Sequence, residues 1–203
     1  MHTTKKYEWR AAQLKAFIAG YNKMRPEFEE ALLQDLGRNK NASVAEIKMV
    51  EAAAAHDLKH LKSYMSDVSE ETELMLAPAS TYVRYEPMGV VAIYSAWNYP
   101  VMTSLKPLVQ CITTGNAVIM KPSEIAPHTS KVVKKFIDTY LDQDFIRCIE
   151  GGIDVAVELN KQKVDLICFT GSTQVGKIVA GVAAKNLTRC ILELGGKCPA
   201  IIH

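Results

Sequence analysis

The stretch Val90-Val-Ala-Ile-Tyr-Ser-Ala-Trp-Asn-Tyr-Pro100 decides the fold. It opens with a compact β-branched run, residues 90–94, which is typical of a strand buried on both faces of a sheet. The turn residues Pro87-Met-Gly89 precede this run, and polar residues with a proline follow it, so the predicted strand is short. A short buried strand of this kind indicates a parallel sheet, provided that helices follow it along the chain.

Short apolar strands and helical patterns do alternate after this stretch. We predict strands at Ala117–Lys121, Phe145–Ile149, Leu166–Phe169 and Arg189–Leu192. We predict helices near Ser104–Thr114, His128–Leu141, Asp154–Asn160 and Gln174–Ala184. The alternation predicts an α/β fold with a doubly wound, mostly parallel, Rossmann-like sheet, whose ligand sites lie beyond the carboxyl ends of the strands.

In the N-terminal third, the apolar residues have the spacing of helices instead. Apolar residues recur three or four positions apart from Trp9 onward, and a second short helix is predicted to follow Pro26 and to end at Gly37. The sequence Ser43-Val-Ala-Glu46 has the form of a capping box, in which the serine and glutamate side chains satisfy backbone N–H groups at a helix start. We therefore predict that a long amphipathic helix begins there.

Two domains are predicted from this change of pattern. Residues 1–80 form an N-terminal helical segment that packs on the second domain, and residues 81–203 form a domain of the dinucleotide-binding type. Residues 66–80 have no periodicity and are predicted to be a loop. The alternating residues 81–86 are predicted to form a half-exposed strand.

The composition excludes several classes of protein. Of the 203 residues 48% are hydrophobic, and 24 Lys+Arg against 22 Asp+Glu leave a net charge of +2, so neither a disordered chain nor a nucleic-acid carrier is expected. No apolar run approaches the ~20 residues of a membrane span, and no signal peptide is visible. The five cysteines lack C-x-x-C and metal-ligand spacing, so we expect free thiols, no metal and a cytoplasmic location, with a membrane anchor beyond His203 left open.

Two predicted strands end in polar residues suited to chemistry. Asn98 has an amide that could stabilise an oxyanion, although an Asx-turn with Trp97 in the core explains the same residues. Lys121 precedes a proline, which cannot continue a central strand, so we expect Lys121 to lie at the rim of the sheet. With Glu124 it could hold ribose or phosphate while Ser123 caps the next helix, or it could form a solvated Lys–Glu pair.

A glycine-containing segment, residues 169–177, joins the next strand to a helix. Glycine at the turn allows close backbone approach, and the free N–H groups of the helix start favour a pyrophosphate. The segment resembles the G-x-G-x-x-G fingerprint with Thr173 in place of the second glycine. It also has Walker A spacing up to Lys177, but Ile178 replaces the required hydroxyl residue. An ordinary glycine turn with Ser172 or Thr173 as the N-cap remains the alternative.

The fourth segment contains a carboxylate between two leucines at a strand end. Desolvation there would raise the pKa of Glu193 toward the range of a general base. The glycines Gly195 and Gly196 permit a tight and mobile backbone behind it. The alternative is a strand-terminal glutamate that pairs with Lys197.

In order and spacing, these four segments together resemble the NAD(P)-dependent aldehyde dehydrogenase superfamily. The resemblance covers nearly the whole chain from Trp9 onward, and the W-N-Y-P form is most similar to the class 3 and fatty-aldehyde branch. The segments are Ala96–Pro100, Gly115–Glu124, Phe169–Gly176 and Glu193–Lys197.

The resemblance implies a role for each matching residue. Asn98 matches the asparagine that supports the oxyanion, and Glu193 matches the general base. Lys121 and Glu124 match contacts to the adenosine ribose. Further coenzyme contacts are implied for Trp97, for the loop residues Gly171, Ser172, Thr173, Gln174, Val175 and Gly176, and beside the nicotinamide for Leu194, Gly195 and Gly196.

The family nucleophile has no counterpart among the five cysteines. It is a cysteine in a G-Q-x-C segment that follows E-L-G-G-K by a few tens of residues, and the printed chain ends at His203. We therefore expect the coenzyme-binding half of an enzyme that oxidises an aldehyde to a carboxylic acid with NAD or NADP, inactive alone and homodimeric in full-length form. The alternatives are a short non-catalytic dinucleotide-binding or oligomerisation module, and a related acyl-phosphate or semialdehyde reductase, which the E-L-G-G-K form disfavours.

Overall fold

The computed structural model describes residues 2–202, so residues 1 and 203 at the ends of the two predicted domains lie outside the described residues. The helices are α1 (His2–Lys5), α2 (Tyr7–Leu36), α3 (Lys40–Tyr64), α4 (Pro100–Thr113), α5 (Pro127–Tyr140), α6 (Ile153–Lys161) and α7 (Thr173–Lys185). The strands are β1 (Val68–Glu70), β2 (Thr81–Val83), β3 (Val90–Tyr94), β4 (Ala117–Lys121), β5 (Ile146–Cys148), β6 (Leu166–Gly171) and β7 (Arg189–Leu194).

Strands β3 to β7 form one parallel sheet in the order β5-β4-β3-β6-β7. The chain builds outward from β3 to β5, then returns to the other side of β3 to add β6 and β7. The carboxyl ends of β3 and β6 therefore meet where the winding reverses, which is where open α/β sheets bind ligands. This confirms the predicted α/β fold and its doubly wound parallel sheet.

Alternate residues of β3 belong to two different hydrophobic clusters. Val91 and Ile93 pack in the larger cluster, which also contains buried residues of α2, α3, α4 and α5. Ala92 and Tyr94 pack in a smaller cluster with residues such as Val179 of α7. The side chains of a strand point alternately to opposite faces, so both faces of the sheet are covered by helices, as predicted for this run.

Helix α2 is longer than predicted. Pro26 lies inside a continuous 30-residue helix instead of starting a second one. The buried residues Met24 and Phe28 on either side of Pro26 continue one apolar face, and their packing outweighs the lost backbone hydrogen bond. The helix ends at Gly37 as predicted, where a φ of 62° in the left-handed region favours glycine.

The predicted capping box is wrong. Helix α3 begins at Lys40, and the side chain of Asn39 caps it by accepting a hydrogen bond from the backbone N–H of Ala42 at 3.0 Å. Ser43 and Glu46 lie inside the helix and are buried. The pattern S-x-x-E failed because an asparagine four residues before the serine offers an equally good cap.

Residues 66–80, predicted to be a loop, contain a short strand and a 3₁₀ turn. Strand β1 pairs antiparallel with β2 across this segment, from Val68 opposite Val83 to Glu70 opposite Thr81. Arg84 donates two hydrogen bonds of 2.7 Å to the Asp67 carboxylate beside the hairpin. All three residues of β1 are exposed, so the apolar alternation that identifies a strand is missing from the sequence.

Within residues 2–202, none of the helices combines the length and the apolar character that crossing a bilayer requires.

Candidate functional site

The four predicted segments lie along one edge of the sheet. The last residues of β3 and β4, Tyr94 and Lys121, are direct neighbours in the parallel register. Tyr94 also lies opposite Phe169 of β6, and Phe169 lies opposite Leu192 of β7. Since adjacent strands are ~4.8 Å apart, the segments that follow β4, β3, β6 and β7 begin within about 15 Å of one another.

The turn after β3 presents Asn98 to solvent. The Asn98 side-chain oxygen accepts a hydrogen bond of 3.1 Å from the Tyr99 backbone N–H, so the local backbone contact considered in the alternative interpretation is present. The described hydrogen bonds of that side chain involve only its oxygen, which leaves the amide hydrogens for a ligand. Trp97 is 51% exposed, so its predicted place in the core is wrong.

Thr103 of α4 holds this turn through hydrogen bonds. Its hydroxyl accepts a hydrogen bond from the Ala96 backbone N–H at 3.1 Å and donates to the Tyr99 carbonyl at 2.9 Å. The next residue, Pro100, is the first residue of α4, where its missing N–H costs no helical hydrogen bond. The turn is therefore fixed at both ends by α4.

Lys121 is buried, with only 5% of its surface exposed. Its ammonium donates hydrogen bonds of 2.8 Å to the Glu124 carboxylate and of 2.8 Å to the Pro122 carbonyl. The solvated pair of the alternative interpretation is therefore wrong for Lys121, although the Glu124 side chain is 43% exposed. Partial burial acts to raise the pKa of the Glu124 carboxyl, but the hydrogen bond from Lys121 and its charge outweigh that effect and lower the pKa.

Ser123 does not cap the following helix. Its hydroxyl accepts a long hydrogen bond of 3.4 Å from the Ile125 backbone N–H, two residues before α5 begins. Asp35 of α2 supplies the cap instead, since its carboxylate accepts from the backbone N–H groups of His128 at 3.1 Å and Thr129 at 2.7 Å. This contact between distant parts of the chain leaves no local signal in the sequence.

The glycine-containing segment brings the N-terminus of α7 to the same edge. Ser172 caps the helix by accepting a hydrogen bond of 3.2 Å from the Val175 backbone N–H. The four residues Ser172, Thr173, Gln174 and Val175 are exposed, so the unpaired N–H groups of the first turn face solvent. The partial positive charge of a helix N-terminus suits this place to an anion.

Both glycines of this segment leave room for a neighbouring side chain. A Cβ atom on Gly171 would lie 2.6 Å from the Phe169 ring, and one on Gly176 would lie 2.7 Å from Leu194 Cδ2. Gly176 thus allows α7 to pack closely on β7, the role that the third glycine has in dinucleotide-binding turns. Gly171 is the last residue of β6, so the predicted turn begins one residue later.

Glu193 lies on the edge strand β7, opposite Thr170 of β6. Its side chain is exposed, so the predicted desolvation by the flanking leucines is wrong for this chain. That prediction treated β7 as covered on both sides, whereas Leu194 itself is 40% exposed. The ion pairs found among residues 2–202 do not include one between Glu193 and Lys197. Gly195 and Gly196 follow, and a Cβ atom on either glycine would have no neighbouring atom within 4 Å.

Four thiols lie in surroundings that oppose ionisation. Burial raises the pKa of Cys111 to about 12 and that of Cys148 to about 12. Burial, and then the charge of Glu193, raise the pKa of Cys168, and burial raises the pKa of Cys190. Each of these thiols is therefore protonated at neutral pH, unlike an activated nucleophile. Cys198 is exposed beyond β7.

Two residues outside the predicted segments also reach the site. Glu46 of α3 is buried, and its carboxylate accepts a hydrogen bond of 2.9 Å from the Met102 backbone N–H at the start of α4. Arg38 forms an ion pair with Glu46 and donates to the Asn98 carbonyl oxygen. Sequence reasoning assigned Glu46 to a capping box and missed Arg38, because their partners Met102 and Asn98 lie more than 50 positions away along the chain.

Comparisons with known proteins find similarity to one enzyme family. A family model described as the aldehyde dehydrogenase family matches residues 3–203. Aldehyde dehydrogenase family 3 member H1 of Arabidopsis thaliana is 40% identical over 200 residues, which are 98% of this chain and 41% of that protein. Several other relatives also carry family 3 names. The chain thus spans about 40% of the length of the curated relatives it matches.

Solved structures have the same fold. The substrate-bound state of Staphylococcus aureus AldH superposes with a TM-score of 0.94 at 36% identity, covering 97% of this chain and 43% of that one. Succinic semialdehyde dehydrogenase from Streptococcus pyogenes, in complex with NADP⁺, superposes with a TM-score of 0.82 at 22% identity, covering 92% and 41% of the two chains. At 22% identity, the similarity to the Streptococcus pyogenes enzyme shows a shared fold only.

Proposed function

Because the chain belongs to the aldehyde dehydrogenase family, we propose that it supplies the coenzyme-binding part of an enzyme that oxidises an aldehyde to a carboxylic acid with NAD⁺ or NADP⁺. One observation carries this proposal. The exposed asparagine, the buried lysine, the helix N-terminus and the exposed glutamate lie at or just beyond the carboxyl ends of adjacent parallel strands, along one edge of the sheet. That edge is where doubly wound folds bind dinucleotides.

The residues at this edge fit a dinucleotide. Lys121 and Glu124 would hold the adenosine ribose, and the exposed first turn of α7, residues 172–175, would face the pyrophosphate. At the end of β3 the Tyr94 hydroxyl and the Ser95 hydroxyl are buried without a hydrogen-bond partner among residues 2–202, which suits a place that a polar ligand or water completes. The coenzyme, when bound, would accept a hydride from the substrate.

The charge on Glu124 bears on the choice of coenzyme. Its lowered pKa keeps the carboxylate ionised at neutral pH, and this negative charge would repel the 2′-phosphate of NADP⁺. The ammonium of Lys121, 2.8 Å away, would offset that repulsion. We therefore propose that the site accepts either NAD⁺ or NADP⁺. The dissociation constants of the two coenzymes will show which one it prefers.

Further coenzyme contacts are proposed for the residues that border this edge. Trp97 would lie against the coenzyme from the turn after β3, and Leu194, Gly195 and Gly196 would lie beside the nicotinamide. Their exposure at the rim supports this placement.

Two polar groups would act on the substrate. The Asn98 amide would donate a hydrogen bond to the oxygen that becomes negatively charged during attack on the aldehyde. Glu193 would take a proton from the attacking thiol or water, and its exposed carboxylate is accessible for that step. The attacking thiol would not be Cys111, Cys148, Cys168 or Cys190, because burial keeps these four thiols protonated.

The absence of an activated thiol among these four cysteines favours a second candidate function, a dinucleotide-binding module that catalyses no reaction.

We also propose the division into residues 1–80 and 81–203, a homodimeric full-length enzyme and a cytoplasmic location. Free cysteines support a reducing compartment, and the exposure of Leu74 and Met75 by 91% and 93% supports a protein partner.

Two measurements test the proposal. The chain is titrated with NAD⁺ and with NADP⁺ by calorimetry, and the complete gene product is assayed for NAD(P)H formation with aliphatic and aromatic aldehydes. Coenzyme binding with aldehyde-dependent reduction supports the enzyme. Binding without reduction supports the non-catalytic module, and an absence of binding contradicts both.

A further inference from the structure

Arg38 occupies the short connection between α2 and α3, far from the sheet in sequence. Gly37 ends α2 and turns the chain, and Asn39 caps α3, so Arg38 is held between two fixed residues. Its side chain is only 17% exposed. The residue is thus rigidly placed, although it belongs to a loop.

A buried carboxylate connects Arg38 to the start of α4. Glu46 has a fully buried side chain and forms an ion pair with the guanidinium of Arg38. Its other oxygen accepts the hydrogen bond of 2.9 Å from the Met102 backbone N–H. Burial raises the pKa of Glu46, and the hydrogen bonds from Met102 and Arg38 act in the opposite direction.

The other end of the guanidinium holds the turn that carries Asn98. One Arg38 nitrogen donates to the Asn98 carbonyl oxygen, and the guanidinium carbon lies 4.2 Å from the centre of the Tyr99 ring. These contacts hold the Asn98 carbonyl group and the Tyr99 ring, directly after the Asn98 side chain. Since the Asn98 oxygen accepts from the Tyr99 N–H, the direction of its amide follows that of the backbone.

Such a network is unnecessary for stability alone. Replacing a buried ion pair by apolar residues of similar volume is often neutral or stabilising, so its presence next to a functional turn needs another reason. Precise placement is such a reason, because oxyanion donors act only within hydrogen-bond distance of the developing charge. Reactive groups are best held by surrounding side chains that are themselves immobile.

We propose that Arg38, held by Glu46, is a positioning residue that aims the Asn98 amide at the oxyanion of the aldehyde reaction. This inference rests on the proposed function and adds a residue from the helical N-terminal segment to it. Arg38 acts through Asn98 and not on the substrate. Its loss should therefore lower kcat by a larger factor than it weakens coenzyme binding, to which the neighbouring Trp97 is proposed to contribute.

The test is a double-mutant cycle in the complete gene product with the variants R38Q, N98A and R38Q/N98A. We expect R38Q to lower kcat between about 10-fold and about 100-fold, as small misplacements of catalytic groups do. In the N98A background the same change should have no further effect, because the group that it positions is gone. An equal loss of kcat in both backgrounds, or no loss in either, overturns the proposal.

The matched control is R84Q, which removes an arginine that also donates two hydrogen bonds but lies beside the hairpin. It should leave kcat unchanged. R38K provides a second variant in case R38Q does not fold, because lysine keeps the charge beside Glu46 without the two-pronged geometry. R38K should recover thermal stability but not full kcat, and full recovery of kcat would contradict a requirement for the guanidinium.

A readout that does not depend on activity uses Trp97. This measurement is made on the 203-residue chain, where W9F leaves Trp97, next to Asn98, as the remaining one of its two tryptophans. R38Q should increase its quenching by acrylamide, and R84Q should not; equal quenching in R38Q and its parent overturns the proposal. Absence of dehydrogenase activity in the parent protein contradicts the proposed function, and the positioning role of Arg38 falls with it. An active parent whose Trp97 quenching is unaffected by R38Q contradicts the positioning role alone.

Discussion

Lys121 is the residue whose removal should most directly affect coenzyme binding. Its buried ammonium is fixed by hydrogen bonds of 2.8 Å to Glu124 and Pro122, so it is already oriented before a ligand arrives. A hydrogen bond to a charged group contributes ~1.5–3 kcal/mol, so Lys121→Ala should weaken coenzyme binding about 10-fold or more in a calorimetric titration. Equal titration curves would remove Lys121 from the site.

A matched control exists on α6. Lys161 also pairs with a glutamate three residues away, Glu158, but this pair is exposed on α6. Lys161→Ala should therefore leave coenzyme binding unchanged. A loss equal to that in Lys121→Ala would show a general effect of charge and not a specific contact.

A substitution of Glu193 should separate catalysis from coenzyme binding. Glu193→Gln keeps the size of the side chain and removes the base, so kcat of the complete gene product should fall by about 100-fold or more. The coenzyme dissociation constant should not change, because the proposed contact is with the reacting groups. Glu158→Gln, on the exposed face of α6, is the control. An unchanged kcat in Glu193→Gln would leave the residue with a structural role.

At the scale of elements, the contact between α7 and β7 depends on one glycine. A methyl group on Gly176 would meet Leu194 Cδ2 at 2.7 Å, so the Leu194 side chain must turn away from α7 and give up its present packing. Overpacking of this kind costs ~1–3 kcal/mol, and Gly176→Ala should lower the free energy of unfolding by that amount in chemical denaturation.

Gly181 in the same helix gives the opposite expectation. A Cβ atom there would have no heavy atom within 4 Å. Gly181→Ala should therefore stabilise the protein by ~0.5–1 kcal/mol, the usual gain from removing glycine in a helix interior. Destabilisation of both variants by the same amount would mean that α7 and β7 are not packed as described.

Elements with a strong local pattern could be predicted from the sequence. Strand β4 has the predicted bounds, and β3 is buried on both faces as its β-branched run indicates. Local signals failed where a distant contact decides the outcome. Pro26 does not break α2 because the apolar face continues across it, and Asp35 caps α5 from a different helix.

The candidate site shows the same limit. The positions of Asn98, Lys121 and the first turn of α7 follow from strand ends, which the sequence indicates well. The exposure of Glu193 could not be predicted, because nothing local identifies β7 as an edge strand in this chain. Arg38 was missed for a related reason, since its function depends on a contact 60 positions away.

For the molecule as a whole, the sheet separates two hydrophobic clusters, and the buried thiols belong to the larger one. Cys111 of α4 and Cys148 of β5 are both members of that cluster. Their pKa values are raised to about 12 because the thiolate would lose its hydration there. The folded state therefore binds these two protons more tightly than the unfolded state does.

This difference predicts a loss of stability at alkaline pH. In the unfolded chain a thiol ionises near pH ~8.5–9, whereas Cys111 and Cys148 stay protonated in the folded state until about pH 12. Their contribution is fully present below the lower value and is lost as pH rises toward the higher one. Between about pH 8 and about pH 10, each thiol should lower the free energy of unfolding by ~1.4–1.9 kcal/mol. The double variant C111A/C148A should show a shallower pH dependence in urea titrations, whereas C198A, which removes an exposed thiol, should keep the parent slope. If C198A and C111A/C148A reduce that slope equally, the two buried thiols are not the groups that ionise on unfolding.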